Sequence, residues 1–79
     1  MGEHICAVID GGWIIEGMVV SRENDIIQME DASVVRRWSN GRGIGGIADP
    51  EHKDEYTLDH IGDANVYAKR VIYEIPLGW

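Results

Sequence analysis

The sequence predicts a mainly β fold, a small curved antiparallel sheet that closes to a barrel or half-barrel, and three observations predict it. Short apolar runs are separated by glycine, proline or Asn-Asp punctuation, the pattern of strands joined by tight turns. No stretch of ten or more residues reads as an amphipathic helix, which excludes a doubly wound α/β arrangement. With 79 residues the chain has room for one domain, 1–79, and a fold of that size buries only about 60% of its unfolded surface. Its core must therefore be compact.

The elements follow in order. Residues 4–9 and 13–20 flank Asp10-Gly11-Gly12 as a hairpin. The first run is apolar on both faces, Ile5, Ala7 and Ile9 against Cys6 and Val8, which suits a strand covered on two sides. Gly17 in the second run has no side chain to pack and marks a bulge or sharp bend. A third strand spans 26–30, with Ile27 and Met29 on one face, and a fourth spans 33–38. Alternation along that fourth strand puts Arg36 and Trp38 on one face and Arg37 on the other. Glycines at 41, 43, 45 and 46 make a loop, and 44–48 closes into one short helical turn. Pro50 ends that turn, and the polar stretch to Glu55 reads as an exposed loop. Residues 56–61, 66–67 and 71–75 supply one or two closing strands. Five or six short strands in so short a chain suggest an SH3-like barrel, whose closure removes unpaired edges.

Fourteen acidic residues against seven basic ones give a net charge of −7. A non-specific grip on nucleic acid or an anionic membrane would work against that repulsion. The charge is uneven: residues 32–48 hold no acid and three arginines, so they carry +3 and the remainder −10. No run approaches the ~18 apolar residues that span a bilayer, and the start Met1-Gly2-Glu3-His4 lacks a signal peptide's positive region, so a cytoplasmic location is expected. Cys6, the single cysteine, sits in an apolar run where a buried, inert thiol is expected.

The order of motifs is more telling than any one of them. Glu16-Gly17 on the second strand, Asp31-Ala32-Ser33-Val34-Val35-Arg36-Arg37-Trp38, the segment Gly43-Ile44-Gly45-Gly46-Ile47-Ala48 and the closing Val71-Ile72-Tyr73-Glu74-Ile75-Pro76 follow one another. This succession resembles an uncharacterised family of short β proteins encoded by tailed phages and prophages. Their pattern is an Ala-Arg-Arg element with aromatics, a small-residue turn and a final Ile-Glu-Ile-Ile-Pro strand. Here a serine and two valines separate Ala32 from the arginine pair. The resemblance implies a phage origin and little about activity; together with the small size and the missing catalytic set it leads to the expectation of an accessory role in the infected cell.

Gly41-Arg42-Gly43-Ile44-Gly45-Gly46 has the G-x-G-x-x-G spacing, but the polar, proline-containing segment after it cannot form the long helix of a dinucleotide fold. A looser anion site remains open. The backbone of Gly41, Gly43, Gly45 and Gly46 can present N–H groups, Arg36, Arg37 and Arg42 can hold phosphate, and Trp38 can stack on a base. The bland alternative makes Trp38 core and the glycines a tight bend. No metal or cofactor is expected, because His4, Cys6, His52 and His60 do not make up a zinc ligand set. Asp49, Glu51, Asp54 and Glu55 lack the spacing of a calcium loop. Ser21, Ser33 and Ser39 have no base at a telling spacing, so an enzyme is not expected. Leu77 and Trp79, after the last strand, either fold onto their own barrel or meet another subunit, and association into a homo-oligomer is favoured. The leading expectation is a non-enzymatic binding module for a host or phage protein partner. The rivals are a sponge for a small anionic, nucleotide-like signal and a minor virion or assembly component.

Overall fold

The computed structural model describes residues 2–38, 41 and 43–79. Five strands, β1 (His4–Ile9), β2 (Trp13–Glu23), β3 (Ile26–Trp38), β4 (Tyr56–Tyr67) and β5 (Val71–Pro76), form one antiparallel sheet in the order β4-β3-β2-β1-β5. The β1–β2 connection is the 3₁₀ turn Asp10–Gly12, where Gly11 and Gly12 take φ of 82° and 88°. Between β2 and β3, Asn24 and Asp25 both sit near φ 55–60°, as a two-residue hairpin turn matched to strand twist requires.

The expected third and fourth strands are one strand, β3. The chain passes Asp31 with φ 54° and continues, because a bulge residue can be left unpaired without ending the ladder. The closing segments 56–61 and 66–67 are likewise one strand, β4, with Gly62 at φ 88° opposite Ala32. On β2 the pairing with β3 shifts register between Glu16 and Met18, at the predicted bulge residue Gly17. A Cβ at Gly17 would lie 3.0 Å from the Ala32 methyl. Gly17, Ala32 and Gly62 thus form a crease across three neighbouring strands.

Chain length shows how far the sheet bends there. The 3₁₀ turn Ala68–Arg70 is all that joins Tyr67, paired with Ile26 beside the β2–β3 turn, to Val71, paired with Ile9 at the opposite end of β2. Four residue steps reach at most ~14 Å. In a flat sheet those two ends would stand about 33 Å apart along the strands, at ~3.3 Å per residue. The outer halves of β2, β3 and β4 must therefore fold back over β1. The apolar cluster Ile5, Ala7, Val19, Ile27, Met29, Ala32 and Val66 fills the resulting hollow. The curved half-barrel expected from sequence is what the chain forms.

The other face of β1 carries Cys6 into a second cluster with Val35, Ile47 and Tyr56. Its lid is the predicted 3₁₀ turn Ile44–Ala48, whose one buried side chain is Ile47. The stretch after it is not an open loop: Pro50–Glu55 is a further 3₁₀ segment. The preceding turn stops at Ala48, as expected ahead of Pro50, and Pro50 also begins this segment, since proline's missing N–H is free of a partner in a first turn anyway. The Asp49 carboxylate accepts the Glu51 N–H at 2.9 Å, supplying the cap.

Candidate functional site

The residues grouped by sequence as an anion site are distributed along the edge of the second core. At the end of β3 the register shifts between Val35 and Arg37. The extra residue breaks the alternation, so Arg36 and Arg37 are both exposed while Trp38 returns to Val35's cluster. Arg36 and Trp38 therefore do not share a face as expected. Trp38 packs 5.8 Å from Tyr56, ring centroid to centroid. Arg36 donates to Asp59 on β4 at 2.8 Å, in a pair whose side chains are about half exposed. Gly41 and Gly43 take φ of 75° and 71°, and the Gly43 carbonyl accepts the Tyr56 hydroxyl at 2.5 Å. Gly45 and Gly46 lie in the Ile44–Ala48 turn. Arg42 lies outside the described residues, as does Ser39.

Leu77 and Trp79 fold onto their own chain. The Leu77 N–H donates to the His4 carbonyl and the Gly78 N–H to the Ala48 carbonyl, each at 2.9 Å. The Trp79 indole N–H donates to the Ile47 carbonyl at 2.7 Å, and its ring meets the His4 imidazole edge-on at 4.6 Å. An indole buries most favourably where its N–H finds an acceptor, and the 3₁₀ turn supplies one.

This strap forms one wall of a cleft of about 350 Å³ over the convex side of the crease, lined by His4, Glu16, Met18, Asp31, Ser33, His60 and Trp79. Strand register builds it: Cys6, Glu16, Ser33 and His60 are successive partners across β1, β2, β3 and β4. Glu16 is only 3% exposed and is held by His4 Nε2. His4 Nδ1 lies 2.7 Å from the Trp79 main-chain oxygen, so Nδ1 carries a proton. At the rim His60 Nε2 lies 2.8 Å from Asp31 Oδ1. None of Arg36, Arg37, Trp38 or the described loop glycines lines this cleft.

The cleft offers acceptors and apolar walls. Burial, and secondarily the neighbouring Glu16 charge, push the Cys6 thiol up to about 12, which keeps it protonated and unreactive. Among the described residues no group of three His, Cys, Asp or Glu is placed to hold a metal ion, and no helix is long and apolar enough to cross a membrane. Sequence reasoning passed over this cleft. Its one signal was Glu16, a lone acid inside an apolar strand, where charges are seldom buried without a partner.

No family model matches the chain, and no curated protein matches it in sequence. Among solved structures the fold is similar to that of a heptameric archaeal Sm protein, described for its implications for the eukaryotic snRNP core. The TM-score is 0.65 at 16% identity, over 96% of this chain and 87% of that one. At that identity the likeness is one of fold, a small SH3-like barrel.

Proposed function

We propose that this chain is a non-enzymatic binding module that works as a closed ring of identical copies, the β4 edge of each copy pairing with the β5 edge of the next. The observation that carries the proposal is the pair of free sheet edges. Among the described residues β4 pairs only with β3 and β5 only with β1, which leaves two rows of backbone donors and acceptors facing outward. Both rows carry apolar side chains in the open: Ile61 and Tyr67 on β4, Ile72 and Tyr73 on β5. Such edges invite another strand. Because the two edges are different patches of one molecule, their pairing is head-to-tail and generates either a ring or a filament. The likeness to a heptameric protein supports closure.

Each copy adds −7 to the ring, which favours a protein partner with a basic surface over a phosphate backbone. The resemblance to tailed-phage proteins supports a setting in the cytoplasm of an infected cell. Sedimentation equilibrium tests the assembly. The wild-type chain is expected at a single multiple of 8.8 kDa and Ile72→Asp at the protomer mass with unchanged circular dichroism. Ile72 is 65% exposed within the protomer, so a wild-type mass retained by the variant would remove β5 from the contact.

A further inference from the structure

Two side chains in the cleft are more than nine-tenths buried yet keep an acceptor free. Glu16 is 3% exposed and Ser33 5%. His4 engages one carboxylate oxygen of Glu16, and neither the other oxygen nor the Ser33 hydroxyl has a hydrogen-bond partner among the described residues. Since no wholly buried side-chain nitrogen or oxygen among those residues is left without a partner, both atoms open onto the cleft that they line. A largely dehydrated carboxylate oxygen is costly to leave unpaired, so the site is built to receive a donor. Asp31 adds a second carboxylate at the rim. Of the remaining walls, Met18 and the Trp79 indole are apolar, and His60 at the rim is engaged by Asp31. The same indole already holds the Lys53 ammonium 5.4 Å from its ring centroid, within the range of a cation–π attraction.

We propose that the cleft is a binding site for an alkylammonium ion, whose N–H donors meet the free Glu16 oxygen and the Ser33 hydroxyl while its methylene stem lies along Met18 and Trp79. The sign of the site is thus opposite to that of the anion pocket suggested by the arginines and glycines. A cleft of about 350 Å³ falls within the ordinary size of small-ligand sites, and the net charge of −7 draws cations toward it. The ammonium arrives either on a free amine or on a lysine side chain of a protein. The inference does not depend on ring assembly, since every lining residue comes from one copy.

Calorimetric titration with pentylammonium, ethylammonium, neutral pentanol and a blocked lysine peptide tests the site. Pentylammonium should saturate with a dissociation constant on the order of 1 mM, in keeping with its few heavy atoms. Ethylammonium should bind about tenfold more weakly or worse, since it buries three fewer methylenes. Glu16→Gln should weaken pentylammonium at least about tenfold by removing the charged acceptor. Met18→Ala, which leaves the His4 contact intact, should erase much of the preference for the longer stem. A lysine peptide that binds as tightly as pentylammonium assigns the site to a partner's lysine, and its exclusion assigns the site to free amines. Absence of saturable binding by both overturns the proposal. So does equal binding of pentanol, or unchanged affinity in a folded Glu16→Gln protein.

Discussion

Gly17→Ala places a methyl group at the crease, and the structure sets its cost. The added Cβ would stand 3.0 Å from the Ala32 Cβ, 3.2 Å from the Ala32 Cα and 3.2 Å from the Met29 Cβ, where carbon atoms prefer ~3.5–4.0 Å. Ala32 is paired with Gly62 on β4 and its neighbour Ser33 with Glu16 on β2, so the Ala32 Cα yields only if the crease opens. Gly17 does not use the left-handed region, so the penalty is one of space. Overpacking of this kind costs about 1–3 kcal/mol, against which alanine gains ~0.4–1 kcal/mol by restricting the unfolded chain. A net loss of about 1–2 kcal/mol corresponds to roughly 4–16 °C in Tm for a domain of this size. Ala32→Gly removes the opposing methyl, so the double variant should recover on the order of 1 kcal/mol relative to the sum of the single changes. Urea unfolding followed by tryptophan fluorescence, at one fixed protomer concentration, measures all three variants. A Gly17→Ala protein as stable as the wild type, or strict additivity in the double variant, would refute the crease.

Two further expectations concern titratable groups. Cys6, with its thiol pushed up to about 12, should resist a disulfide reagent at pH 8 in the native protein and react at once when the chain is unfolded; rapid native labelling would contradict its burial. Arg22 donates to Glu74 at 2.7 and 2.9 Å and to Glu3 at 2.7 Å, clamping β2 across β1 to β5. The hydrogen bonds from Arg22 hold the Glu74 carboxyl below its ordinary value of 4.5. A depressed folded value means that the clamp stabilises above pH 4.5 and that this contribution is lost as pH falls through the folded value. The fall in Tm between pH 7 and pH 3 should therefore be smaller in Glu74→Gln than in the wild type. The difference is modest because partly exposed pairs contribute at most about 1 kcal/mol.

The strands, the β1–β2 hairpin, the bulge at Gly17 and the helical turn at 44–48 were legible because period-two apolarity and glycine act locally. Burial of β1 on both faces was legible for the same reason. The continuity of β3 through Asp31 was not, since an unpaired aspartate at φ 54° is sustained by the pairing of Met29 and Ala32 before and after it, which sequence does not display. Pro50 was legible as the stop for the turn before it but not as the start of the next, which depends on the Asp49 cap. The arginine island was real in sequence, but Asp59, distant along the chain, lies beside Arg36 on the next strand. Most of the cleft was invisible. His4, Glu16, Ser33 and His60 meet only through strand register, and Trp79 reaches them only once the strap has folded back onto the 3₁₀ turn.

Native mass spectrometry of the untagged chain tests the central claim most directly. Pairing of β4 with β5 around a closed ring predicts one dominant species at a fixed whole-number multiple of 8.8 kDa, insensitive to concentration. A monomer at micromolar concentration, or a ladder of masses growing without limit, would contradict it.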